Sequence, residues 1–130
     1  MKYMLKSLSA ITLNLLAATA LAAPVSLTTH NNTDLESNAY VDGTVPSPYG
    51  TAAHSSRSVL WTMVKYACYG HTTNGKCPAL IKVATNTANP IDIGYVTLDL
   101  DSGDISPKQI SNNGYTITVN GPGEATINKD

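Results

Sequence analysis

Hydrophobic residues fall along this chain in short bursts, separated by glycine, proline, asparagine and aspartate. Beyond residue 22, no window of about 12 residues keeps the 3.6-residue period of an amphipathic helix, whereas alternation with period two recurs. The cleanest case is Tyr115-Thr116-Ile117-Thr118-Val119, in which Tyr115, Ile117 and Val119 share one face and the threonines the other. Residues 25–31 predict a first strand and residues 35–42 a weak second one, closed by an Asp42-Gly43 turn. Residues 91–100 predict another, with Gly94 as a bulge. Residues 124–128 predict a final strand lying unpaired at a sheet edge, blunted by Lys129 and Asp130.

Residues 58–84 are the densest apolar stretch, and they hold Trp61, Cys68 and Cys77. The pattern predicts two antiparallel strands stapled across their connection by a Cys68–Cys77 disulfide, with the return strand over residues 80–85. Val59, Trp61 and Met63 on one side and Leu60, Val64 and Tyr66 on the other would make the first strand apolar on both faces. Asn74-Gly75 is the turn signal. A two-residue turn there would pair Thr72 with Cys77 and leave Cys68 out of register, so a longer, bulged loop is expected. Upstream, residues 44–58 hold Pro46, Pro48 and small polar residues, the composition of a long surface loop. About seven strands in one chain of this length imply an all-β fold, a small antiparallel β-sandwich with one hairpin disulfide.

The longest apolar run lies elsewhere, at residues 8–21, behind Lys2 and Lys6 and ahead of the small residues Ala20 and Ala22. This is the layout of a secretory signal peptide. At about 14 residues, interrupted by Asn14, the run is short of the roughly 20 that span a bilayer. The expected organisation is a signal peptide over residues 1–22 and a single β-sandwich domain over residues 23–130. Without Lys2 and Lys6, six basic residues face nine acidic ones, a net charge of −3. The absence of a basic cluster argues against nucleic acid or anionic membrane as partners, and no membrane insertion is expected. Export and exactly two cysteines predict the disulfide independently of any strand assignment.

Candidate chemistry is sparse. Asp99, Asp101 and Asp104 crowd one turn and are the best metal ligands, for calcium. The EF-hand register fails, because the twelfth position counted from Asp99 is Ile110. An acidic turn that keeps a strand end in water is the plainer reading. Cys68, His71 and Cys77, with His54 or His30, could ligate zinc only as free thiolates, against the export argument. His54 beside Ser55 and Ser56, or the Asp99/Asp101 pair, would serve a small secreted hydrolase. No G-x-S-x-G or H-E-x-x-H motif supports one, and enzyme activity is the lesser expectation. Six tyrosines follow residue 22. Tyr66, Tyr95 and Tyr115 suit the edge of the core. Tyr49 and Tyr69 fall in or beside loops near His54, Arg57 and His71, and these five form the candidate ligand-binding set. Asn31-Asn32-Thr33 is a glycosylation sequon.

The segment GDISPKQISNNGYTITVNGPGEATINK, residues 103–129, resembles small uncharacterised exported β-rich proteins of Gram-negative intracellular bacteria. The resemblance extends back to the cysteine segment. It implies a periplasmic protein or one passed on by a type II secretion route, and it carries no catalytic residue.

The leading expectation is a secreted or periplasmic, non-enzymatic binding protein that contacts a protein or glycan through loops 44–58 and 69–76. A small secreted hydrolase and a calcium-binding β domain are the alternatives. A membrane-active toxin is disfavoured for want of an amphipathic or basic stretch. No cofactor is expected other than calcium, and the protein is expected to be a monomer or weak dimer.

Overall fold

The computed structural model describes residues 22–130. The expected signal peptide lies outside these, save for its last residue. The fold is an all-β sandwich of two five-stranded sheets with one short helix. The strands are β1 (Ser26–Asn31), β2 (Ser37–Val41), β3 (Val45–Pro46), β4 (Ser55–Leu60), β5 (Lys76–Val83), β6 (Ile91–Asp99), β7 (Ile105–Ser106), β8 (Gln109–Asn112), β9 (Tyr115–Gly121) and β10 (Glu124–Lys129), with helix α1 (Trp61–Cys68) between β4 and β5. One sheet has the order β4-β1-β10-β9-β8 and the other β3-β2-β5-β6-β7. All pairings are antiparallel except β1 with β10.

Alternation builds the core. Tyr115 and Ile117 of β9 are buried and Val119 half-buried, as the pattern predicts. They meet Ile127 of β10 and, from the other sheet, Val83 and Ile93. In β6 the inward positions change parity, from Ile91 and Ile93 to Val96 and Leu98. A bulge makes that possible: Ile81 pairs with Gly94 and Lys82 with Asp92, leaving Ile93 as the extra residue. Gly94 is required beside it, because a Cβ there would stand 2.9 Å from Ile110 Cγ2.

The segment 61–68 is a helix, not the first strand of a hairpin. Trp61, Val64 and Cys68, at helical spacing, are buried, whereas Leu60, Met63 and Tyr66 face solvent. No side chain caps the N-terminus. The turn of helix is held by docking of its apolar stripe, as short helices must be, and by the Trp61 indole, whose Nε1 donates to Leu100 O at 2.9 Å. Strand and helix both explain a short run that is apolar on all sides, and only the tertiary fit decides between them. The disulfide does join Cys68 to Cys77, with Cα atoms 5.9 Å apart, but it ties the end of α1 to the start of β5. The register argument against a tight turn therefore does not apply. Asn74 and Gly75, both at positive φ, make a two-residue turn closed by reciprocal Thr73–Lys76 backbone bonds.

Residues 44–58 are not one long loop. They contain β3, in which Pro46 sits on an outer strand of its sheet as a residue without an N–H should, and most of β4. Strand β10 is not a sheet edge either. It runs between β1 and β9, and the edges of its sheet are β4 and β8. Ten strands replace the expected seven because β3, β7 and β8 are two to four residues long and carry no pattern of their own. No described helix is long and apolar enough to cross a membrane.

Candidate functional site

The chain has no phenylalanine, and alanines occupy several facing positions between the sheets. Ala39, Ala67, Ala79 and Ala125 all border a cleft there, with a cavity volume of about 120 Å³. Its walls are otherwise aliphatic, among them Leu27, Val59, Ile81, Val96 and Ile127, and Cys68 and Cys77 line it as well. Space left beside apolar walls costs on the order of 24 cal/mol per Å³. A sandwich that keeps such a cleft gives up packing energy for it.

Polar residues reach the cleft where β4 and the segment after β3 come together: Arg57, Tyr49, Ser47 and Thr51. Arg57 takes an inward position on β4, in register with Thr29 of β1. Its guanidinium carbon lies 5.4 Å from the Tyr49 ring centroid, a cation–π distance. Its Nη1 donates to Gly50 O at 2.8 Å. No ion pair among the described residues includes Arg57.

Of the five expected binding residues, the structure brings together only Tyr49 and Arg57. His54 turns away to Asp34, with Nε2 2.5 Å from Oδ1. His71 belongs to the other end of β2, where its Nδ1 lies 2.6 Å from Asp42 Oδ2. Tyr69 follows α1 and is 85% exposed. Leu60 at the end of β4 and Met63 and Tyr66 on the helix, at three-residue intervals before it, are exposed as well. Tyr66 at 79% and Tyr95 at 54% exposure do not fill the core edge; Tyr115 does.

The acidic turn forms, and its carboxylates have other partners. Asp99 Oδ1 accepts from Asp101 N at 3.0 Å and Ser102 N at 3.1 Å. The Ser102 and Asp101 amides, in that order, hold the Asp99 carboxyl below its usual value. Asp104 pairs with Lys108. Asp99 ends β6 and Asp101 lies in the turn beyond it, so the two do not sit side by side on a strand. Among the described residues no three His, Cys, Asp or Glu side chains are placed to hold a metal ion. The cysteines, being bridged, cannot ligate zinc.

A family model described as type II secretion system substrate NttC matches residues 1–130. The chain belongs to the NttC family. It is also similar to the crystal structure of the Legionella pneumophila type II secretion system substrate NttC, at 66% identity and a TM-score of 0.82, covering 83% of this chain and 100% of that one. No curated protein matches. Membership makes this a secreted protein and sharpens the resemblance read from residues 103–129.

This NttC-family chain also carries an arrangement that the sequence did not announce. On the outer face of the β4-β1-β10 sheet, His30 Nδ1 lies 2.7 Å from Ser56 Oγ and His30 Nε2 2.7 Å from Glu124 Oε2. The carboxylate can only accept, so Nε2 donates to it; with the imidazole neutral, Nδ1 accepts from the Ser56 hydroxyl. Ser56 is thus bound to His30 and not to the adjacent His54. The relay crosses three strands, and only the parallel β1–β10 pairing, invisible in sequence spacing, brings Glu124 to it. It stands on the outer sheet face and lines neither the inter-sheet cleft nor the recess around Asp104, Lys108 and Pro122. Asn31, the sequon residue, is fully buried, and its side-chain amide donates to Leu35, Thr51 and Ala52 carbonyls. In the folded protein it is a loop clamp and no acceptor for a glycan.

Proposed function

We propose that this secreted protein is a non-enzymatic binding protein that engages another protein through the outward side of α1 and the residue that follows it. One observation carries the reading. Leu60, Met63, Tyr66 and Tyr69 stand 42% to 85% exposed at three-residue intervals, while Trp61, Val64 and Cys68 of the same segment are buried in the core. Contiguous exposed apolar side chains mark interaction surfaces, and tyrosine offers large contact area at small entropic cost. The loop Gly70–Gly75 continues the row, with the His71–Asp42 pair at its side. A photo-crosslinking residue in place of Tyr69, with purified candidate partners, tests it. The expected result is a discrete adduct that is lost in the Met63→Ser/Tyr66→Ser background, with an unchanged melt. Stacking on a glycan with no protein adduct would reassign the surface.

A second reading rests on the Ser56–His30–Glu124 relay, which has the hydrogen-bond order of a nucleophile, base and orienting acid. It lies outside the inter-sheet cleft. Ester hydrolysis abolished by Ser56→Ala would support it.

A further inference from the structure

The cleft and its single cation make a site distinct from the α1 row. The walls are apolar over both sheets, and the polar residues gather at one place, around Arg57. A guanidinium has five N–H donors. Here one is bound to Gly50 O, and no carboxylate among the described residues pairs with the group. Glu36, the acid bordering Gly50, accepts instead from Thr85 Oγ1 at 2.7 Å. Tyr49 stacks with the guanidinium and holds it beside the cleft. An exposed arginine with no anion beside unfilled aliphatic space asks for a ligand with one planar anionic head and an apolar tail.

We propose that the inter-sheet cleft binds an acyl carboxylate with a tail of about six carbons, its head group held by Arg57. Size sets the tail. At about 120 Å³ the space is close to that of an engineered apolar cavity, about 150 Å³, that takes benzene. The tail lies among Leu27, Val59, Ala125 and Ile127, and the carboxylate takes a forked pair of N–H groups that Gly50 leaves unused. Both sheets and a buried disulfide frame the space, so the site is preformed. It shares no residue with the Leu60–Tyr69 row, and the two proposals stand or fall separately.

The test is titration of the oxidised protein with hexanoate, 1-hexanol and acetate, followed by isotope-edited NMR and by thermal melts. Hexanoate is expected to raise the melting temperature and to give intermolecular NOEs from its terminal methyl to Leu27, Val59 and Ile127. Hexanol, which keeps the tail, and acetate, which keeps the head, should each bind at least about tenfold more weakly. Arg57→Gln should weaken hexanoate by about the same factor and leave hexanol unchanged. Ala125→Leu, filling the cleft, should abolish both; if that variant does not fold, Ala39→Val at the facing sheet serves the same purpose. Equal binding of acetate and hexanoate, full affinity in Arg57→Gln, or the absence of NOEs to the three wall residues would each overturn the proposal.

Discussion

The two faces of the β4-β1-β10 sheet are made from the same three strands, residue by alternate residue, and they differ in what they leave undone. On the outer face Thr28 bonds Ser58 at 2.8 Å, His30 bonds Ser56 and Glu124, and Thr126 bonds Asn120 at 2.7 Å. These groups satisfy one another. On the inner face Leu27, Val59, Ala125 and Ile127 border space they do not fill, and Arg57 keeps most of its donors. A polar group already paired across a strand has little to offer a ligand. The richer-looking chemistry is therefore on the outside, and the proposed acyl site on the inside.

Substitutions in neighbouring positions should separate the faces. Ile117→Ala, at a 2% exposed inward residue of β9, should cost about 2–5 kcal/mol, while Thr116→Ala beside it, whose hydroxyl bonds Ser111 and Asp130, should cost no more than about 1 kcal/mol. Urea unfolding of both variants checks the contrast, and equal losses would mean that the sheet is not packed as described. Reduction of Cys68–Cys77, at the cleft wall, comes next. Its loop of ten residues predicts a loss of about 2.7 kcal/mol and a melt lowered by on the order of 10–20 °C, with the fold retained.

The outer relay should matter less. Ser56→Ala removes one hydroxyl from a solvated face and should cost no more than about 1 kcal/mol, read by the same unfolding midpoint. A larger loss would show the relay to be structural. The smallest expected effect belongs to Asp99. Its folded-state pKa is lowered, so its stabilising contribution is complete above the unfolded value near 4 and lost as pH falls through the lower folded value. Wild type should lose melting temperature below pH ~4 faster than Asp99→Asn, in melts scanned across that range.

Much of this was readable in advance where local pattern and fold agree. The Tyr115–Val119 alternation, the Gly94 bulge and the cysteine pair all rest on chemistry confined to a few neighbouring residues, whereas the tight Asn74-Gly75 turn was set aside by a register argument that took the segment before it for a strand. The helix was not readable, because Trp61, Met63 and Val64 are apolar on every side and alternation fits them as well as a turn of helix. Tyr66 and Tyr95 show the same weakness: an aromatic residue in an apolar run looks buried until its partners are known. Three of the five candidate binding residues fell away, the two histidines for a related reason. Tyr49 and Arg57 meet across a short connection, but His54 and His71 answer to Asp34 and Asp42, acids placed beside them by turns rather than by sequence proximity. The His30–Glu124 contact depends on the one parallel pairing, and no short-range signal could report it.

That parallel pairing also sets a clock. Thr28 and Glu124 are partners in register, and they are roughly a hundred residues apart in a chain that is made at about 5–20 residues per second. Strand β1 therefore waits roughly 5–20 s for the neighbour that completes its side of the sheet. Until then β1 can have at most β4 beside it, and the face bearing Leu27 lacks its neighbours Ala125 and Ile127. Whatever carries this protein across a membrane has a window in which the sandwich cannot yet close.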